Sequence, residues 1–464
     1  MKGDFSRVTF DRAQHVSRVM LQQGRVLLDA DFNLQSAVSA YGLRRLTRDL
    51  VGPHAGPAEL LGFGVSPAKD DKGKPTGGLA FAAGRYYVEG LAAEAEAAFD
   101  MALGDLAMGD GKHYLLTLEV WEEHFTWLEE DLIRDPALGG PDTITEARIS
   151  WAVRAALLDA LPNPAPADAA AWQAWWQDWF AVNLRRAPRA LNLNGRVLPQ
   201  MIAWTDPQAA DDDVPCVADP AGGYRGLENQ LYRVEIHAPA NATNSLKPTF
   251  KWSRENGSVA AAWVGVDGAD LLVDGIHDTA RGFSAGQWVE LTSAVEQHRG
   301  QPGTLVRLTK VDGVRLTVDA TTPAPNRPGD DDHPIVRRWD HREPGKDAKG
   351  EGFRDGAIEL VENHDYALEA GIKVTFPGPA AGDTRVVAYS PGDYWLIPAR
   401  SALGDIIWPL VPGKTGKDRF ARREPDGPEQ VYAPLALVDV AGNMPTVTRS
   451  LQFSIAAPVK PVAP

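Results

Sequence analysis

The chain has 464 residues, enough for two to four domains at about 150 residues each. Its formal net charge of −15 argues against a general nucleic-acid binder and against attraction to anionic membranes, since both need a basic field. The single cysteine, Cys216, excludes an intramolecular disulfide, and no run of about 18 apolar residues offers a bilayer-spanning helix.

The opening MKGDFSRVTFD is polar and lacks the apolar stretch of a secretory signal, so synthesis and folding in the cytoplasm are expected, with exit in a larger particle after lysis. Residues 1–20 read as a short extended piece. From Asp29 the pattern becomes helical. Leu34, Val38 and Tyr41 fall at helix spacing, and Leu43, Leu46 and Leu50 continue the same stripe with a slight drift. Asp29 and Asp31 stand at the start, Arg44, Arg45 and Arg48 near the end, and Gly52-Pro53 stops the helix, which is the charge order that the helix dipole favours. The two acids read as capping groups worth about 1 kcal/mol. No adjacent His or Glu completes a metal-ligand set around them.

Short β signals follow: GGLAFAAGRYYVEGLAAEAE turns at Gly84 and Gly90, HYLLTLEVWEEHFTWLEE alternates through Leu116, Leu118 and Val120, and a further run surrounds Ile149 to Val153. After the stiff PNPAP break comes a helix over 168–186, with Asp168 as its N-cap and Arg185 and Arg186 at its end. Trp172, Trp175, Trp176, Trp179 and Phe180 share one face. Such a face can cover a sheet, dock a neighbouring subunit or carry a sugar ring.

From about residue 224 the chain reads as strands and loops. GQWVELT, GTLVRLTKV and VRLTVDA alternate, with Asp312-Gly313 as a hairpin turn, and predict a small β-barrel or sandwich. The fold expected is mainly β (β-rich α+β) and multi-domain, with short antiparallel strands, a small inserted barrel or sandwich and a few helices. It divides into a helix-containing module with β-hairpins (1–110), a central β region carrying the Trp-rich helix (111–223), the barrel or sandwich (224–330), and C-terminal strands that pack back on the central region (331–464).

Chemical motifs are sparse. Walker, dinucleotide-binding, nucleophile-elbow and zinc-protease signatures are missing, so no cofactor and no catalytic residue are assigned. Asp330, Asp331, Asp332, His333, Asp340 and His341 form the best metal-like cluster, although acids flanked by Pro and Gly commonly only face solvent. In YRGLENQLYRVEIH, Arg233, Glu235 and His237 share one face of a regular strand. Glu228 and Glu255 could be read as a glycosidase pair, against a plainer reading as ion pairs fixing strand register.

The pieces MKGDFSRVTFD, LQQGRVLLDADFN, AGRYYVEGL, DPALGGPDT, YRGLENQLYRVEIH, FKWSRENGSV, GDYWLIPAR and APLALVDV, in this order and over nearly the full length, resemble a bacterial family of unassigned domain function. Where that family has a Trp-Asn-Glu-Gln-like piece after the acids, this chain has Phe32 to Gln35, so Leu34 cannot do chemistry that a Glu there would do. The family's motifs are similar to those of phage tail and baseplate-associated proteins that occur with contractile injection systems.

The resemblance implies a structural or accessory part, such as a baseplate, cage or fibre-like component. Its implied partners are itself, as a homo-oligomer such as a trimer, and other particle subunits, without nucleic acid or membrane insertion. Residues 1–35 are the first expected attachment segment, through Lys2, Asp4, Phe5, Arg7, Gln22, Gln23, Arg25, Asp29, Asp31 and Asn33, because a polar free terminus gains little from folding alone. The Trp helix face is the second. A glycan-binding targeting module is the main rival, and a glycosidase or metal-dependent hydrolase the other.

Overall fold

The computed structural model describes residues 1–138, 142–162, 165–183, 196–206, 223–241, 245–275, 282–345, 351–379, 382, 385–412 and 418–455. Cys216, Arg185 and Arg186 lie outside them. Strands dominate. Three α-helices occur among the described residues: α1 (Asp29–Val51), α2 (Ala169–Asn183) and α3 (Ala294–Arg299). The chain divides into two compact units, each built from separated segments: Met1–Thr9, His124–Glu146 and Arg186–Pro428 in one, and Phe10–Glu123, Ala147–Arg185 and Glu429–Pro464 in the other.

The unit containing α1 and α2 is organised by a four-stranded sheet of 444–450, 430–441, 112–125 and 146–158, the first three strands antiparallel. The strand Gln430–Ala441 pairs with Lys112–Phe125 over its length, for example Leu437 with Leu115. Alternation alone would give Lys112–Phe125 one wet face, yet Tyr114 to Trp121 are buried throughout. A strand covered on both sides keeps apolar residues at consecutive positions. Leu79, Phe81, Tyr86, Leu116, Leu118 and Val438 form part of this unit's core.

Helix α1 lies over the hairpin between strands 84–88 and 91–95. Gly90 there has φ +85°, and a Cβ on it would stand 2.2 Å from the carbonyl oxygen of Arg44, so only glycine permits the approach. Arg48 reaches Glu89 of the same turn at 2.7 Å. Helix α2 begins where expected: Asp168 Oδ1 accepts from the Ala171 amide at 2.8 Å.

The other unit combines a six-stranded sheet, ordered 353–354, 357–359, 249–253, 230–238, 394–400 and 405–406, with a closed six-stranded barrel, ordered 260–267, 270–274, 315–318, 304–312, 288–293 and 334–339. The barrel core includes Trp263, Val289, Leu291, Val306, Leu308 and Val336. Its hairpin at Gly313 (φ +58°) joins Asp312 to its partner Arg315, a conformation suited to glycine. The strands Gln230–Ala238 and Thr249–Ser253 stand outside the barrel, because the first hydrogen-bonds to Tyr394–Arg400, far along the chain.

Candidate functional site

The strands Gln230–Ala238 and Thr249–Ser253 are buried on both faces, and each face has its own chemistry. Tyr232, Val234, Ile236, Phe250 and Trp252 enter the apolar core of the sheet. The opposite face carries Arg233, Glu235, His237, Lys251 and Ser253, as period-two geometry requires. Register sets Glu235 opposite Lys251 and Arg233 opposite Ser253.

Glu235 is the hub of this polar face. It accepts from Arg233 Nε at 2.7 Å and pairs with Lys251 at 3.4 Å and Lys2 at 3.4 Å. Lys251 also meets the Glu290 carboxylate, which in turn accepts from Trp339 Nε1 at 2.9 Å, and the ammonium sits 4.4 Å from the Trp339 ring centre. Burial works to raise both carboxyl pKa values, and the surrounding cations overcome it. Lys2, Arg233 and Lys251 hold Glu235 well below the usual carboxylate range, and Lys251 and Lys2 hold Glu290 at about 2. Burial draws the Lys2 ammonium down to about 8 and the imidazoles of His237 and His341 down to about 3 and about 4. The face is thus a network of paired charges, of the kind that fixes register, with two neutral imidazoles buried in it whose Nδ1 atoms, on His237 and His341, have no hydrogen-bond partner among the described residues.

The N-terminal segment completes the network. The Met1 carbonyl accepts from Arg233 Nη1 at 3.1 Å. The Gly3 carbonyl accepts from Asn256 Nδ2 at 2.9 Å, and the Ser6 carbonyl from Arg400 Nη2 at 2.6 Å. Lys2 Nζ also donates to Gln297 at 3.2 Å, and Phe5 sets its ring edge-on to His124. Asn256 holds φ +53° ahead of Gly257, a left-handed turn that points its amide at the segment. Asp4 is exposed and Arg7 half-buried.

Beyond Phe10 the segment changes character. Gln22, Gln23 and Arg25 are exposed, as are Met20, Leu21, Val26, Leu27 and Leu28. Val19 N donates to Gln35 at 2.8 Å, laying this arm beside α1. Asp31 accepts from the Leu28 amide at 3.2 Å, as an N3 acid does in a capping box, while Asn33 is exposed. The capping acids therefore lie inside the first turn. The single apolar stripe expected along α1 is in fact two. Ala30 and Val38 are buried and Leu34 half-buried, but Phe32, Leu43, Leu46 and Leu50 are exposed, because the later leucines fall on the far side of the helix.

On α2, Trp172 and Trp176 are buried and Trp175, Trp179 and Phe180 half-buried. Phe180 meets Tyr432 at 5.9 Å and Arg449 lies 4.5 Å from the Trp172 ring, both from strands of the same unit.

The metal-like cluster is not assembled among the described residues. The strand Pro334–Trp339 separates Asp330, Asp331, Asp332 and His333 from Asp340 and His341 by about 20 Å of extended chain. Among the described residues no group of three or more His, Cys, Asp or Glu could hold a metal ion. Asp340 is committed to Arg338 and the Arg254 amide, and His341 Nε2 donates to the Gly356 carbonyl at 2.6 Å. Glu228 is exposed beside Gln230, whereas Glu255 is paired with Arg338. Sequence reading overlooked Glu290 and Trp339, and also Tyr394, whose ring centre lies 3.6 Å from the Arg233 guanidinium, and Arg337, which donates to the Gly257 carbonyl. A charge inside an otherwise apolar alternating run, as in GQWVELT, was the available signal.

Residues 1–170 and 180–451 match a family of unknown function, DUF6519. The chain belongs to this family. No curated protein and no solved structure matches it. Within this DUF6519 protein both matched segments contribute to the network described above, the first through Lys2 and the second through Glu235 and Lys251.

Proposed function

We propose that this DUF6519 protein is a structural or accessory component of a phage-tail-like contractile injection particle and works through protein–protein assembly. The observation that carries the assembly reading is the surface of residues 16–50. Met20, Leu21, Val26, Leu27, Phe32, Leu43, Leu46 and Leu50 are all more than half exposed. Single exposed apolar residues are ordinary, but a concentration of them on one arm and helix marks a surface that meets protein. The charged face of the central strands supports the same reading, since its charges on Lys2, Arg233, Glu235, Lys251 and Glu290 are paired with one another. The connection to an injection particle rests on the resemblance of the sequence motifs to phage tail and baseplate-associated proteins.

Mass spectrometry of particles purified from the native host tests the assignment, with deletion of residues 2–20 as the perturbation. The expected result is the intact chain in the particle at a fixed stoichiometry and its loss on deletion. Absence of the intact chain from purified particles removes the assignment, and full retention after deletion removes the N-terminal segment as the attachment point.

A further inference from the structure

The ion pair at the centre of the buried face holds the parts of a condensation. Lys251 comes from the strand Thr249–Ser253 of the six-stranded sheet, and Glu290 from the strand Trp288–Ser293 of the barrel. Their charged ends are in contact, on side chains 2% and 5% exposed. An ammonium and a carboxylate contain between them every atom of one amide and one water. In solution the ions persist because water solvates both. Here both are shut away from water, and joining them into a neutral amide removes two buried charges at once. Well-oriented groups held in one molecule reach effective concentrations of about 10⁵–10⁸ M, which offsets the low reactivity of a carboxylate.

The surrounding groups stand where the step needs them. Glu290 Oε2 accepts from Trp339 Nε1 at 2.9 Å, so an indole N–H already points at the oxygen on which negative charge builds when a nitrogen adds to the carboxyl carbon. Glu290 Oε1 accepts from Lys251 Nζ and, at 3.2 Å, from the Gly303 amide. A Cβ on Gly303 would stand 2.6 Å from Glu290 Cγ and 2.8 Å from the Leu291 carbonyl oxygen, so glycine is what lets that amide reach the carboxylate. Glu235, on the neighbouring strand, lies 3.4 Å from the Lys251 nitrogen, within reach of its protons. Lys2 pairs with Glu235 and Gln297, whereas Lys251 meets both carboxylates.

We propose that Lys251 and Glu290 condense into an isopeptide bond, with Glu235 as the proton relay. The step starts from the ions. Glu235 takes a proton from the ammonium, and the freed amine adds to Glu290 Cδ while Oε2 carries the charge against Trp339. Two protons, both from the original ammonium, reach Oε1 by way of Glu235, which ends as it began. The bond from Cδ to Oε1 breaks, Oε1 leaves as water, and the bond from Cδ to Nζ remains. It ties the sheet to the barrel, a covalent staple in a chain whose single cysteine permits no internal disulfide. The inference does not depend on the assembly reading.

The intact mass of the purified full chain in denaturant tests it. The expected mass is one water below that of the sequence. Asp-Gly steps such as Asp312-Gly313 lose the same water by cyclising, so the loss is located by protease digestion. A single branched peptide carrying both Lys251 and Glu290 is expected, and this wild-type digest decides the question whether or not a variant folds. Lys251→Arg keeps the cation and is expected at the full sequence mass. Glu235→Gln, which has no carboxylate to relay, is expected at the full mass in most chains. A wild type at the full sequence mass, a water loss that survives Lys251→Arg, or a loss that maps away from Lys251 and Glu290 overturns the bond. Complete linkage in Glu235→Gln overturns the relay.

Discussion

Glu235 and Lys251 face each other directly across adjacent antiparallel strands, their charged groups 3.4 Å apart and each only 2–3% exposed. A carboxylate and an ammonium so far from water stay charged only while each has partners, and here Arg233, Lys2 and Glu290 supply them. The pair locks the register of the strands that also carry the apolar core on their other face. A slip of one residue would exchange the two chemistries.

Lys251→Met removes the bridge between Glu235 and Glu290 and leaves two buried carboxylates short of a cation. Urea denaturation is expected to show a loss of about 3–5 kcal/mol. A double-mutant cycle with Glu235→Gln should return a coupling of about 1–3 kcal/mol. Additive losses would mean that the two side chains do not act as a pair.

Asn256 clamps the Gly3 carbonyl from a left-handed backbone position. Asn256→Gly keeps that backbone and deletes the amide, at a cost of about 1 kcal/mol. Faster hydrogen exchange at residues 2–7, with little change over 249–253, is the expected pattern. Equal protection of residues 2–7 in the variant and the wild type would show that the amide does not hold the segment.

Acid should destabilise the protein in two stages. Burial lowers the folded pKa of His54 and His341 to about 4 and of His124 and His237 to about 3, so their stabilising neutrality is complete above the unfolded value near 6.5. Between pH 6.5 and about 4 the unfolded chain binds more protons and stability falls with pH. Glu235 and Glu290, also depressed, add a second loss that begins below about 4.5, runs through the titration of Glu290 near 2 and continues below it for Glu235. Melting temperatures across pH 7 to 3 should fall continuously from pH 6.5. A plateau down to pH 4 would contradict the histidine contribution.

Trp176 is 4% exposed and stacks on Trp179 at 5.7 Å. Trp176→Ala is expected to cost about 3–5 kcal/mol of stability without changing the oligomeric mass. A change in mass at unchanged stability would instead make this ring a contact between copies.

Much of the architecture is legible from local pattern. Alternation through Leu116, Leu118 and Val120 marks a strand, Asp168 marks the start of α2, and Gly313 marks a barrel hairpin, because backbone conformation answers to neighbours a few residues away. The metal-like run misleads for the same reason. Asp332 and Asp340 are close in sequence, but an extended strand lies between them.

The sequence by itself determined that the chain would be β-rich with helices at Asp29 and after Asp168, since spacing, caps and turn residues act locally. Which charged residues would be buried together was decided only in three dimensions. Lys2, Glu235, Lys251 and Glu290 come from four separate segments, and only the pairing of strands distant in the chain sets them within reach of one another. The two faces of α1 were likewise separated only by tertiary packing. Periodicity places Val38 and Leu46 on one helix, but which side of the helix is covered depends on what the rest of the chain lays against it.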